Sequence, residues 1–343
     1  MQALVTQPGV AGSTRVADVP EPTGPGVVVR VLEVGVCGTD REISHGLFGI
    51  PPAGGSELVL GHELLGMVEH DGHGFARGDL VTAIVRRSCL HCLACAEGSP
   101  DSCLTGDYFE RGITRLNGFA CELIVEDPAQ IIPIPRSLGR LGVLTEPAAV
   151  CERALRHVRA IGGRQPWELQ RALVLGAGAI GTLSTYLLRL AGLEVWTASL
   201  EPENDLVTAT GAYYVSLADT SPAALGGFDL VIEAAGNAQL MADTLGLLRR
   251  SGVACLLGID PRVQRVELEG QTIALDTVLE NRVLFGSVNA ARQDWLAAVA
   301  DLDRVRERWP GALQQFIGLH APLARFEDAF AHEGGKATLV LAD

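Results

Sequence analysis

Two groups of residues have the types and spacing to hold metal. Cys89, Cys92, Cys95 and Cys103 follow the pattern C-x2-C-x2-C-x7-C, four soft thiolates within fifteen residues. Four thiolates fill a tetrahedral zinc shell and leave no open position, which suits a structural ion that organises a loop. An iron–sulfur cluster or a set of free thiols is the competing reading, and ligand number and geometry favour zinc. The second group is dispersed. Cys37 lies in Gly35-Val-Cys-Gly-Thr-Asp40 after an apolar run, and Gly61-His62-Glu63 follows Leu58–Leu60. Thiolate, imidazole and carboxylate together suit a zinc that acts as a Lewis acid, which takes about three protein ligands and keeps a fourth place for substrate. The third ligand is Glu63 or Glu146, the latter in Leu144-Thr-Glu-Pro147. Taken singly, the histidine reads as a core or surface group and the Glu before Pro as a turn cap; their conjunction carries the inference.

A third signal is Gly176, Gly178 and Gly181, a G-x-G-x-x-G placed after the apolar run Ala172–Leu175 and before a helix-compatible stretch to Leu190. The first glycine permits a tight turn, the second lets backbone approach a pyrophosphate, and the third lets helix pack on strand. The turn, with Ala179 and Ile180, is the expected seat of a dinucleotide. Glu201 stands 20 residues after Gly181, where an acid hydrogen-bonds the adenosine ribose. No arginine occurs between Ser199 and Asp205, and Glu201 and Glu203 would repel a 2′-phosphate, so NAD is expected over NADP. The plain alternative for Glu201 is a solvated loop acid.

These residues need elements to position them. A chain of 343 residues exceeds what one core serves well, so two domains are expected. Residues 1–149 show short β-rich runs such as Val27–Val36 and Asp79–Val85, with the cysteine lobe at 88–104. Residues 150–288 alternate apolar runs with helix-length segments, the pattern of parallel βαβ units. Residues 289–343, with helical stretches at Trp295–Val305 and Phe326–His332 and a last strand at Ala337–Ala342, are expected to return to the first domain. A net charge of −14 with no basic cluster excludes a nucleic-acid partner. Met1–Val10 has no basic-then-apolar leader, which points to the cytoplasm. The uncharged stretch Ala172–Leu188 is explained by its glycine turn, so no membrane span is expected. Cys121, Cys151 and Cys255 read as buried thiols. Lys336 is the only lysine, and this reads as compositional bias without functional content.

Taken in order, Cys37-Gly-Thr-Asp40, Gly61-His-Glu63, the four-cysteine lobe, Glu146-Pro147 and Gly176-Ala-Gly-Ala-Ile-Gly181 resemble the zinc-containing medium-chain alcohol/polyol dehydrogenase family over nearly the whole chain. Val85-Arg-Arg87, Tyr108-Phe-Glu-Arg-Gly-Ile113, Phe228-Asp-Leu-Val-Ile-Glu-Ala-Ala-Gly236 and Gly286-Ser-Val-Asn-Ala290 resemble its glucose dehydrogenase branch more specifically. The resemblance implies an α/β protein with a GroES-like β-rich catalytic domain and a Rossmann doubly wound parallel sheet. It implies two zinc ions per chain, a homodimer or homotetramer, and oxidation of the C1 hydroxyl of an aldose such as D-glucose to the lactone. Thr39 resembles the family's proton-relay hydroxyl, with His45 either a later station or a surface histidine, and Asp40 resembles a group that orients His62. Glu110, Glu146 and Asn289, with Thr39, are the expected sugar contacts. Ser199, Ala235, Gly258 and Asn289 join the glycine turn and Glu201 at the cofactor. Glu152 matches an acidic position of the branch or faces solvent. Many members take NADP through arginines after the second Rossmann strand; Ser199-Leu-Glu201 departs from that pattern, leaving NAD preferred and NADP second. The alternatives are a zinc-dependent polyol, secondary-alcohol or amino-alcohol dehydrogenase, and a catalytically silent binding homologue.

Overall fold

A computed structural model describes residues 1–259 and 265–342. The chain divides into two compact units, Met1–Ala149 with Asn289–Asp303 and Phe316–Asp343, and Val150–Val288 with Arg304–Gln315. The segment beyond 288 therefore does not return whole to the first unit. Residues 304–315 stay with the second, where Trp309 stacks on Tyr186 and Val305 and Leu313 are buried.

The first unit is built on a seven-stranded sheet. Its path runs Ile131–Ile134, Leu80–Ala83, Glu63–Val68, Val27–Val36, Lys336–Val340, Ile317–Pro322, with Leu123–Glu126 also paired to Val27–Val36. The long strand Val27–Val36 is mostly buried because its neighbours cover it on both edges and its side chains feed two cores. The final strand runs antiparallel to it, with Ala337 opposite Val36, while Glu63 on the other side stands opposite Gly35.

The second unit is a six-stranded, all-parallel sheet in the order Tyr213–Ser216, Glu194–Ser199, Arg171–Leu175, Phe228–Glu233, Leu248–Leu256, Val283–Gly286. Counted along the chain this is 3-2-1-4-5-6, the doubly wound Rossmann order, which leaves a crevice at the strand ends where the order reverses. Tyr213–Ser216, at the edge of the sheet, has four residues, none of them buried. Helix Thr145–Gly162 carries Glu146 in its first turn, and helix Ala179–Leu190 follows the glycine turn. No described helix is long and apolar enough to cross a membrane.

Gly176 has a φ of 103°, a left-handed conformation that a side chain would strain. A Cβ on Gly181 would stand 1.9 Å from the Gly176 carbonyl oxygen, so the helix can approach the strand only through glycine. Gly181→Ala is accordingly expected to cost about 1–3 kcal/mol of stability through overpacking. Denaturant unfolding measures it, and an unchanged midpoint would contradict this reading of the turn.

Candidate active site and metal centres

Three adjacent strands bring together groups far apart in sequence. Glu63 and Lys336 leave the two neighbours of Val27–Val36 at the same end and meet beside Gly35 and Val36. Lys336 Nζ donates to Glu63 Oε1 at 2.6 Å and to the Val36 carbonyl at 3.2 Å, and both side chains are almost wholly buried. A Cβ on Gly35 would lie 1.9 Å from Glu63 Oε2, so the absent side chain is what admits the carboxylate. Burial pulls the Lys336 ammonium toward neutrality, but Glu63, with Cys37 and Glu146 behind it, outweighs burial and holds its pKa above the usual lysine value. The chain's only lysine is thus part of the site, a correction to its reading as bias. Composition flagged it; only strand register could assign it.

Cys37, His62 and Glu63 each present a ligand atom within 4.8 Å of the others. Cys37 sits at the N-terminal cap of helix Gly38–Ser44, and its backbone N–H donates to Asp40 Oδ2 at 2.9 Å. Asp40 Oδ1 accepts from the Gly61 N–H at 3.3 Å and lies 3.4 Å from His62 Nδ1, so one buried carboxylate fixes both ligand loops. Burial opposes charge on the imidazole, yet Asp40 and then Cys37 outweigh it and lift His62 well above its ordinary pKa. Burial likewise opposes the Asp40 carboxylate, and His62 outweighs it, holding that carboxyl below its usual range. The Cys37 thiol lies 3.9 Å from the Thr39 hydroxyl. Glu146, in the first turn of Thr145–Gly162, is outside the tight group. Burial pushes its carboxyl up to about 7, with His62 and Lys336 pulling down and Glu63 pushing up. Among the described residues Glu63 Oε2 is buried without a hydrogen-bond partner, an atom that a cation would satisfy. His45 is exposed at the end of its helix, and Glu152 is buried in the second unit.

The four sulfurs of Cys89, Cys92, Cys95 and Cys103 also converge within 4.8 Å. A tetrahedron with Zn–S of about 2.3 Å has sulfurs about 3.8 Å apart, and Cys89 and Cys95 Sγ are 3.8 Å apart. Backbone N–H groups of Cys92 and Leu104 point at Cys89 and Cys92 sulfurs, both at 3.4 Å. The Thr105 hydroxyl is the main cause that brings the Cys89 thiol down to about 5. The lobe has no apolar core, since Leu90, Leu93 and Leu104 are exposed, and Leu90 holds a left-handed φ of 60°. An ion at the four sulfurs would supply the cross-link the lobe lacks.

Beside this lobe, in the same unit, Glu110 Oε1 accepts from Arg86 Nε and from Asn289 Nδ2, both at 2.9 Å. Arg86 is pinned in turn by the Asp101 carbonyl at 2.7 Å and by the Tyr108 ring, 4.0 Å from its guanidinium. Asn289 takes a φ of 70°, which asparagine tolerates better than most residues, and its Oδ1 accepts the Ala290 N–H. Glu110 and Asn289 are therefore joined, and Arg86 is a residue the sequence reading did not single out within its Val85-Arg-Arg87 string.

In the second unit Ala179 and Ile180 open the helix after Gly178, whose missing side chain faces open space. The Ala235 N–H donates to Glu233 Oε1 at 3.0 Å and the Gly258 N–H to the Glu233 carbonyl at 3.0 Å, so one buried acid organises both loops at the strand ends. Glu233 was also missed; an acid closing the apolar run Phe228–Ile232 was its signal. Ser199 closes its strand and its hydroxyl meets Glu201 Oε2.

Lys336→Met should destabilise the protein by about 3–5 kcal/mol, because it leaves Glu63 charged, buried and unpaired. Adding Glu63→Gln should recover part of that loss, and a double-mutant cycle by urea unfolding that shows no coupling would contradict the ion pair. Cys95→Ser should lower the melting temperature and lose the lobe's zinc; a melting curve identical to the parent would deny the lobe a structural metal.

Residues 139–342 match the family described as glucose dehydrogenase C-terminus, and residues 24–136 match the alcohol dehydrogenase GroES-like domain. The glucose 1-dehydrogenase of Methanocella arvoryzae is 37% identical over 342 residues, covering 96% of this chain and 95% of that protein. Glucose 1-dehydrogenase 1 of Caldivirga maquilingensis is 38% identical, covering 99% and 98%. A solved structure of Haloferax mediterranei glucose dehydrogenase in complex with NADP, Zn and gluconolactone has a TM-score of 0.91 at 29% identity, covering 100% of each chain. With both halves matched and the ligand group assembled, the chain belongs to the glucose dehydrogenase branch of the zinc-containing medium-chain dehydrogenases.

Proposed function

We propose that this protein oxidises the C1 hydroxyl of an aldose such as D-glucose to the lactone, with hydride transfer to NAD and dependence on zinc. The observation that carries the reading is the convergence of Cys37, His62 and Glu63 in the unit that also holds the linked Glu110 and Asn289. Relatives at 37–38% identity are named glucose 1-dehydrogenases, and the Haloferax enzyme was crystallised with gluconolactone.

Cys37 and His62 hold the metal with a carboxylate. Glu63 has Oε1 committed to Lys336 and Oε2 without a partner, and the described residues give Glu146 neither hydrogen bond nor ion pair, so either carboxylate can serve as the third ligand. Bound there, zinc supplies a Lewis acid that acidifies a hydroxyl. Thr39, beside the Cys37 sulfur, receives the proton released by the sugar and passes it outward. Glu110 has Oε1 saturated by Arg86 and Asn289, and its Oε2, with no hydrogen bond among the described residues, accepts a ring hydroxyl. Several fixed polar partners of this kind are what distinguish a sugar from a simple alcohol.

Glu201, in a stretch without arginine, favours NAD, with NADP the poorer substrate even though the Haloferax relative was crystallised with it. The four-thiolate lobe takes the second zinc. A homodimer or homotetramer in the cytoplasm is the proposed state. The edge strand Val283–Gly286 and the nearby exposed Val278, Leu279 and Leu284 form an apolar margin that a second copy would cover.

A spectrophotometric panel of aldoses, polyols and secondary alcohols with NAD and NADP tests the reading. Aldose-dependent NADH formation, lost in Cys37→Ser, is the expected result. Turnover confined to polyols or simple alcohols would replace the substrate assignment, and full activity in Cys37→Ser would remove the metal from the reaction.

A further inference from the structure

The loop Leu200–Glu203 that follows the second Rossmann strand has every side chain exposed and so no apolar anchor. Hydrogen bonds hold it instead. The Tyr214 hydroxyl donates to the Glu201 backbone carbonyl at 2.9 Å and lies 3.5 Å from Glu201 Oε2, the same oxygen that meets the Ser199 hydroxyl. Tyr214 belongs to the neighbouring parallel strand, paired in register with Thr197. Ser199, two residues beyond Thr197, therefore projects from the same face of the sheet as Tyr214. Tyr214 thus fixes the backbone at Glu201 with its one hydroxyl proton while Ser199 donates to the carboxylate oxygen Oε2, and Oε1 accepts no hydrogen bond among the described residues.

We infer that Tyr214 selects the cofactor: with Ser199 it clamps Glu201 so that Oε1 is presented to a ribose diol and the carboxylate cannot swing aside for a 2′-phosphate. The inference deepens the NAD assignment made above and rests on it. An exposed glutamate left free would lose rotamer freedom on binding a diol and could turn away from a phosphate; a clamped one does neither. Burial, then Glu201, raises the Tyr214 phenol pKa, so the hydroxyl remains a donor through the neutral range.

The test is calorimetric titration of the intact holoenzyme with NAD and with NADP, for the parent, Tyr214→Phe, Ser199→Ala and Glu201→Gln. Removing one hydrogen bond should weaken NAD binding about three- to tenfold. NADP binding should hold or tighten, so that the ratio of the two Kd values narrows in Tyr214→Phe and in Ser199→Ala. A ratio that narrows in Glu201→Gln but stays at the parent value in Tyr214→Phe overturns the clamp alone. Equal weakening of both cofactors in Tyr214→Phe overturns it as well, because that marks a merely structural tyrosine. A parent that binds NADP more tightly, or a ratio untouched by Glu201→Gln, overturns the NAD assignment itself.

Discussion

The buried pair of Lys336 and Glu63 constrains the first unit more than any other contact. An ammonium and a carboxylate taken out of water persist only if each keeps the other, and here they come from strands 273 residues apart that flank one central strand. A slip of one residue in either register would turn one partner to the opposite face and leave the other charge alone in the core. The pair therefore specifies the alignment of the outer strands on Val27–Val36, and that alignment places Glu63 and His62 against Cys37. Gly35 belongs to the same constraint, since any side chain there would occupy the carboxylate's space.

Around this pair the charges are arranged in an order that suits a metal. Asp40 ties the Cys37 and Gly61 backbones and faces His62, so thiolate and imidazole share one orienting group. Lys336 compensates one of the carboxylates, which lets two acids lie near each other without uncompensated repulsion. Burial lifts the Glu146 carboxyl to about 7, with His62 and Lys336 pulling it down. The lobe of four cysteines follows a different principle: its side chains bury little, and an ion at the four sulfurs would substitute for a core. One group of ligands is held by packing; the other has no core beneath it.

What was legible in the sequence was local. The four cysteines, the glycine turn and the Cys37 and His62 strings lie within short segments, so spacing alone exposes them. The Rossmann strands with continuous apolar runs were legible for the same reason, whereas Tyr213–Ser216 was not, because no residue in it is buried. Lys336, Arg86 and Glu233 act through partners fixed by tertiary structure. Lys336 needs strand register, Arg86 needs the approach of Asn289 to Glu110 across 179 residues, and Glu233 needs the loops it ties. Glu63 and Glu146 remained alternatives in the sequence because spacing cannot show that Lys336 already holds one of them.

The proposed function needs one metal at Cys37 and His62, and the lobe of four cysteines offers a place for a second. Native mass spectrometry of the protein as purified, beside the double variant Cys37→Ala/His62→Ala, tests this most directly. The account predicts two zinc ions per chain falling to one in a folded variant that retains its lobe. Two ions retained in that variant, or a parent chain that carries only the lobe's ion when zinc is abundant, would contradict it.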